Sequence, residues 1–233
     1  MTESDGNITS DPNKICEILN NHFESVFLKD ENPIIHELEE KNVLKSMGTD
    51  LINPRELKKT EEVIAIPLSN IFIKLFNNGS VPNQCKKANN TPIFKKGSKK
   101  LASNYRPVSL TSISCKIIEK LIKKTIMEHL IVNKLISIRQ HGFMEKKSCI
   151  TNLLEIFDLV TEAIHNGFPI DMIYLDFAKA FDSFQHKRLL NKLKKYGFDN
   201  KLIKWIESFL TNRRQRFVLG KSESSWANVL SGV

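Results

Sequence analysis

The spacing of apolar residues changes along the chain from helical periods to extended ones and back. Over 14–28, 34–46 and 56–78, apolar positions recur every three or four residues, which predicts three amphipathic helices. The third range contains Pro67, which must kink that helix or start a new one. Residues 1–13 show no period and are rich in Gly, Asn, Ser, Asp and Pro, so we expect them to be disordered.

From residue 91 onward the pattern alternates between strands and helices. Short apolar pieces separated by Lys, Gly, Asn and Pro over 91–112 predict extended strands and loops. The residues 214–219 and 226–230 are typical of the two strands of a hairpin. Helical periods and end signals predict four further helices, over 113–134, 149–165, 186–197 and 200–211. The mixture indicates an α+β protein that is rich in helix.

One short apolar run, Ile173, Tyr174 and Leu175, is bounded by turn signals and predicts a buried strand with Asp176 near its end. A carboxylate at such a position can present an oxygen ligand to a hard cation such as Mg2+. The alternative is an aspartate that only caps the next helix. Asp176 taken by itself leaves both interpretations open.

Basic and acidic residues are concentrated in separate blocks. Residues 95–147 hold 13 basic and 3 acidic residues, and residues 186–221 hold 11 and 2, whereas the intervening 148–185 hold 1 and 6. Basic blocks of this size can bind a polyanion such as a nucleic acid and release its counterions. Solvated helix faces explain the same blocks, so charge alone favours neither interpretation.

The four cysteines, Cys16, Cys85, Cys115 and Cys149, are far apart, with no Cys-x-x-Cys pair and no histidine at zinc-ligand spacing. We therefore expect reduced, mostly buried thiols and no zinc site. The N-terminal residues lack a signal-peptide pattern, and no run approaches 18 apolar residues. These features favour an intracellular protein of the nucleus or cytoplasm, with no membrane partner.

The residues around Asp176 carry a more specific signal. The segment 175–182 reads Leu-Asp-Phe-Ala-Lys-Ala-Phe-Asp, and His186 follows four residues later. It resembles the first catalytic motif of the reverse transcriptases of non-LTR retrotransposons of the LINE and jockey type, Leu-Asp-x-x-Lys-Ala-Phe-Asp-x-Val-x-His. Phe184 stands where the family usually has valine.

The resemblance extends over most of the chain. Residues 91–98 and 104–110 are similar to the fingers motif of that family, and 136–143 to the element that follows it. Residues 47–54 and 81–86 are similar to two upstream elements, with Cys85 in the place of a tryptophan. After 143 the usual Arg-x-Gly-Arg is replaced, although Lys147 keeps one positive charge.

The resemblance implies roles for individual residues. Asp176 would bind both catalytic Mg2+ ions, assisted by the backbone carbonyl of Phe177. Phe181 would stack under the incoming sugar and reject a 2′-hydroxyl, whereas Asp182 and His186 would orient the turn. The implied nucleotide contacts are Phe181, Arg106, Lys95 and Lys96, and the implied nucleic-acid contacts are Lys99, Lys100, Lys146 and Lys147. For any single lysine, a solvated loop is an equally good interpretation.

The implied fold is that of a right-hand polymerase, with 14–90 a helical region, 91–168 the fingers and 169–233 a partial palm with an incomplete antiparallel sheet. The implied reaction is two-metal DNA synthesis on an RNA template and DNA primer with dNTPs. The sequence contains no aromatic-Ala-Asp-Asp string and stops at Val233, where a Pro-Gln-Gly segment would begin. We therefore expect a truncated domain that is inactive alone. The alternative is a non-catalytic nucleic-acid-binding remnant that uses the basic blocks.

Overall fold

The computed structural model describes residues 46–177, 180–181 and 183–232. Its α-helices are α1 (Pro54–Lys59), α2 (Glu61–Asn77), α3 (Ile113–Val132), α4 (Cys149–His165), α5 (His186–Lys195) and α6 (Asn200–Leu210). The helices predicted from 113 onward are thus confirmed, with ends that differ by at most two residues. The disorder predicted for 1–13, the helix predicted over 14–28 and nearly all of the helix over 34–46 lie outside the described residues.

The helix predicted over 56–78 is two helices. The side chain of Asn53 accepts a hydrogen bond from the Arg55 backbone amide, and Pro54 occupies the first helical position, so α1 begins there. The chain then leaves helical geometry at Thr60. Pro67 lies inside α2, so of the two alternatives expected for this proline, a kink or a new helix, it does not start a new helix, and the break between the two helices lies at Thr60.

The strands are β1 (Lys87–Phe94), β2 (Tyr105–Leu110), β3 (Arg214–Leu219), β4 (Ser222–Glu223) and β5 (Ala227–Asn228). Their order is β2-β1-β3-β4, and β5 also pairs with β3. β1 runs antiparallel to β2 but parallel to β3. The sheet is therefore mixed: the strands within 169–233 pair antiparallel, as expected for that part, and the parallel pair, which was not expected, forms because the helices between β1 and β3 allow a crossover.

The chain divides into two compact units, each described here by itself. Among the described residues, the first unit contains 46–125 and 181–232, and the second contains 126–177 and 180. The core of the first unit is formed by apolar side chains spaced three or four residues apart on α3 and α6, with others from α2. Its fully buried members include Ile117 and Leu202.

Two close contacts in the first unit fix the segment 47–54 against the residues between β2 and α3. Gly48 passes so close to the residues after β2 that an added Cβ would lie 2.5 Å from the carbonyl oxygen of Thr111. Two residues later, the Asp50 carboxylate accepts a hydrogen bond from the hydroxyl of Ser112, just before α3. The segment 47–54 therefore serves as a structural anchor for the start of α3.

Cys85 and Cys115 form a disulfide, with their Cα atoms 5.5 Å apart. This corrects the expectation of reduced thiols for these two residues. Thirty residues separate them, and only the folding of α3 against the segment before β1 brings them to bonding distance, so no local sequence signal marks the pair. Cys149 is free and exposed.

The polar side chain of Asn90 lies in the buried face of the central strand and is only 1% exposed. Its amide nitrogen donates to Oε1 of Gln215 on β3 at 2.8 Å, and its oxygen accepts from Oγ of Ser109 on β2 at 2.8 Å. One side chain thus joins three strands. Buried amides require such partners, because an unpaired buried polar group is costly.

Replacing this amide should destabilise the fold. We expect Asn90→Ala to lower the free energy of unfolding by about 1–3 kcal/mol, because Gln215 and Ser109 lose their buried partner. Urea denaturation followed by circular dichroism measures the change. Asn70→Ala, at an exposed position of α2, is the matched control and should change stability by less than about 0.5 kcal/mol. Equal effects of the two substitutions would contradict the role of the Asn90 amide.

Candidate functional site

Asp176 lies in a segment, 171–177, that has no regular secondary structure. The buried strand predicted here is wrong: Ile173, Tyr174 and Leu175 are 84%, 81% and 86% exposed. A strand needs a neighbour to pair its backbone N–H and C=O groups, and no described strand pairs with this segment. Residues 170–174 instead lie beside α4 and line an open apolar hollow with it.

The hairpin of β1 and β2 gathers most of the basic residues that the sequence singled out. Lys95, Lys96, Lys99 and Lys100 all lie in its connecting loop and are exposed. Arg106 lies on β2 opposite Ile93, near the same end of the hairpin, and is also exposed. The hairpin therefore places five cations at one end of the sheet.

Specific hydrogen bonds hold this loop in shape. The backbone amide of Lys95 donates to the carbonyl of Asn104 at 2.9 Å, and the Asn104 side chain donates to the carbonyl of Ser98 at 2.9 Å. The hydroxyl of Tyr105 donates to the carbonyl of Lys99 at 2.9 Å. The lysines are thus carried on an ordered backbone and are exposed, and Lys99 Nζ lies 5.8 Å from the centre of the Phe94 ring.

Lys146 and Lys147 have different surroundings. Lys147 Nζ donates to the backbone carbonyl of Ile138, so its ammonium group is engaged within the second unit. Lys146 is exposed and has a positive φ of 60°. Of these two lysines, Lys146 has the more accessible charge.

His141, in the segment 136–143 singled out from the sequence, ties that segment to α4. Its Nε2 donates to Oε2 of Glu155 at 2.6 Å, and its Nδ1 lies 3.1 Å from Oγ1 of Thr151. This hydrogen bond from His141, and then the positive charges of His141, Lys147 and Arg139, lower the pKa of the Glu155 carboxyl below its ordinary value. The arrangement is structural, since both groups are satisfied by each other.

Downstream of Asp176, Phe181 is 65% exposed, and Asp182 lies outside the described residues. His186 Nε2 donates to the carbonyl of Gly232 at 2.7 Å, and the Gly232 amide donates to the carbonyl of Phe184 at 3.0 Å. His186 thus fastens the C-terminal segment to the start of α5. The motif suggested an orienting role for His186 but gave no sign of Gly232 as its partner.

A cavity of about 300 Å³ lies between α2, α3 and α6. Its wall is mostly apolar and includes Phe72, Trp205 and the disulfide. None of the site residues proposed from the sequence lines it. The cavity is therefore separate from the basic hairpin.

Comparison with known proteins assigns the chain to a family. A family model described as reverse transcriptase (RNA-dependent DNA polymerase) matches residues 93–231. The chain belongs to the reverse transcriptase family. The match includes the hairpin loop, β2, the Asp176 motif and His186.

Curated relatives are reverse transcriptases of non-LTR retrotransposons, which confirms the resemblance. The RNA-directed DNA polymerase from mobile element jockey of Drosophila melanogaster is 28% identical over 95% of this chain and 25% of its own length. The transposon TX1 uncharacterized 149 kDa protein of Xenopus laevis is 26% identical over 70% of this chain and 12% of its own. The retrovirus-related Pol polyprotein from type-2 retrotransposable element R2DM of Drosophila melanogaster is 25% identical over 70% of this chain and 15% of its own length. This reverse transcriptase chain spans 12% to 25% of the length of these three relatives.

Reverse transcriptases generally use divalent metal ions. Asp176 and the carbonyl of Phe177 are the hard oxygen donors that Mg2+ prefers, so the donor type fits. Within 46–177, 180–181 and 183–232, however, no group of three or more His, Cys, Asp or Glu side chains could hold a metal. No helix of the described part is both long and apolar enough to cross a membrane.

The hydrogen bond between His141 and Glu155 leads to a prediction about the pKa of Glu155 and the pH dependence of stability. Because the folded state lowers the pKa of Glu155, its contribution to stability is present above the ordinary pKa of 4.5 and is lost as the pH falls through the folded value. We expect His141→Gln to raise the pKa of Glu155 towards 4.5. Carbon-detected NMR titration of the carboxyl group measures it.

His165→Gln, an exposed position at the end of the same helix, is the control and should leave the Glu155 pKa unchanged. A wild-type Glu155 that titrates at its ordinary value, or one indifferent to His141→Gln, would contradict the hydrogen bond as the cause.

Proposed function

We propose that this chain forms the nucleotide-receiving part of an RNA-directed DNA polymerase of a non-LTR retrotransposon. In this assignment 91–168 are fingers, 169–233 are the first part of the palm, and 14–90 are a helical region that precedes them. The observation that carries the proposal is the family match over 93–231, together with the Asp176 motif inside it. The alternative of a non-catalytic nucleic-acid-binding remnant is not favoured by that match.

Asp176 is the proposed catalytic metal ligand, with the carbonyl oxygen of Phe177 assisting. Asp176 and the Phe177 carbonyl would hold Mg2+, which when bound would supply Lewis-acid activation of the primer hydroxyl and neutralisation of the charge on the triphosphate. The side chain of Asp176 is exposed, so solvent and ligand can reach its oxygens. Asp176 would hold both Mg2+ ions only together with further carboxylates, and the sequence contains no aromatic-Ala-Asp-Asp string that would add two more.

The basic end of the hairpin is the proposed triphosphate site. Arg106 would grip phosphate oxygens through its planar fork, and Lys95 or Lys96 would add a point charge. Lys99, Lys100, Lys146 and Lys147 would contact the nucleic-acid backbone. The position of these groups supports the triphosphate site, because the ordered loop of the hairpin carries exposed ammonium groups beside Arg106.

Phe181 is the proposed sugar selector. A large exposed ring at this place could stack under a deoxyribose and clash with an added 2′-hydroxyl. The implied partners are an RNA template, a DNA primer and dNTPs, in the nucleus or the cytoplasm.

The 233-residue polypeptide alone should not extend a DNA primer on an RNA template with dNTPs and Mg2+, because two-metal transfer needs more carboxylates than Asp176 supplies. Primer extension resolved on a denaturing gel measures this. Asp176→Ala is the test variant, and Asp171→Ala, an exposed aspartate of the same segment, is its matched control.

Two outcomes would contradict the predicted inactivity or the proposed metal role of Asp176. Extension that Asp176→Ala abolishes and Asp171→Ala spares would contradict the predicted inactivity while supporting the metal role of Asp176. Extension that is indifferent to Asp176→Ala would contradict that role.

A further inference from the structure

A cluster of three cations surrounds Trp226 on the sheet of the first unit. Lys87 Nζ lies 5.7 Å from the centre of the Trp226 ring, and the guanidinium carbons of Arg214 and Arg216 lie at 6.0 and 4.8 Å. These residues come from β1, from β3 and from the segment before β5. Neither the motifs nor the proposed nucleotide site includes any of them.

Strand register places the cations on the outer face of the sheet. Lys87 pairs with Arg214 across β1 and β3, and Asn89 pairs with Arg216. Side chains alternate between the two faces of a strand, and Ala88 and Asn90 between these positions are buried in the core. The three cations therefore point away from the core.

The same face continues to the nucleotide end of the hairpin. Ile93 lies six residues after Lys87 on β1, on the same face, and its partner on β2 is Arg106. Six residues of strand span about 20 Å. One face of the sheet thus carries Lys87, Arg214 and Arg216 at one end and Arg106 at the other.

Two of the cations have no local anion. Arg216 is bound by Oδ1 of Asn89, at 2.8 Å, and by the Glu223 carboxylate. Within the described ranges, no carboxylate pairs with Lys87 or Arg214, although the two lie directly opposite each other on neighbouring strands. Like charges in such a pair are destabilising, so this arrangement costs stability unless an anion binds there.

From this geometry we propose that Lys87, Arg214, Arg216 and Trp226 form a strip, the Trp226 strip, that binds the backbone of a single-stranded nucleic acid. Lys87 and Arg214 contact phosphates, and Trp226, held by Arg216, offers its half-buried ring to an unpaired base. Aromatic rings among cations are how single strands are bound without sequence preference, whereas a duplex keeps its bases stacked inside. The inference rests on the proposed function, since it names a contact surface for its template or primer.

The test measures binding of a labelled RNA of about 12 nucleotides to the full 233-residue chain by fluorescence anisotropy, between about 50 and 200 mM KCl. The test variant carries Lys87→Gln and Arg214→Gln. The control variant carries Lys59→Gln and Lys74→Gln, two exposed lysines of α1 and α2, and loses the same charge. A third variant, Trp226→Ala, removes the ring.

We expect the test variant to bind about tenfold more weakly or worse, with a salt slope shallower by about 1.4, or 0.7 for each lost phosphate contact on a single strand. Trp226→Ala should weaken binding about fivefold or more, because it removes the ring on which a base stacks. The Lys59 and Lys74 control should keep the wild-type slope. Removing two opposed like charges should leave the thermal unfolding midpoint of the test variant at or above the wild-type value.

Every other result contradicts a named part of the proposal. If the wild type binds RNA and the test variant keeps its slope, the Trp226 strip is wrong and the proposed function stands. If the wild type binds neither RNA nor DNA, the Trp226 strip and the proposed function are both wrong. A lower unfolding midpoint in the test variant would show the cations to be structural. Equal affinity for a duplex would refute the single-strand assignment, and equal competition by poly-glutamate would refute nucleic acid as the partner.

Discussion

The side chain of Asn90 must be hydrogen-bonded on both sides, and this requirement holds the central strand of the sheet in one register. Its donor is used by Gln215 of β3 and its acceptor by Ser109 of β2. A slip of one residue would expose Asn90 and bury Lys87 and Asn89, which exchanges the two faces of β1. Everything on the outer face, from Arg106 to Arg214, depends on that register.

The family match and the contacts in the structure support different conclusions about the chain. Membership in the reverse transcriptase family follows from 93–231, and the Asp176 motif carries the catalytic expectation. Yet the segment before Asp176 is unpaired and exposed, whereas the basic hairpin and the His186 bond to Gly232 are ordered by specific contacts. In this chain the surfaces that would hold phosphate are better defined than the site that would hold metal.

The sequence predicted local structure well and long-range pairing poorly. Helices α3 to α6 follow from apolar periods and from caps such as Ser148 and Asp199, which act within a few residues. The strand at 173–175 was wrong because a strand is stable only beside a partner, which periodicity does not reveal. The disulfide of Cys85 with Cys115 and the parallel pairing of β1 with β3 join segments that are distant in the chain. No sequence pattern indicated the cluster around Trp226, because its cations come from two strands that are more than a hundred residues apart.

We propose that the outer face of the sheet is a nucleic-acid surface whose position is set by strand register. Photo-cross-linking of a 4-thiouridine-substituted single-stranded RNA to the chain, followed by mass spectrometry of the linked peptides, tests this most directly. We expect cross-links at Trp226 and at the peptides that contain Lys87 and Arg106. Cross-links confined to the exposed helix lysines, such as Lys123 and Lys124 of α3, would contradict it.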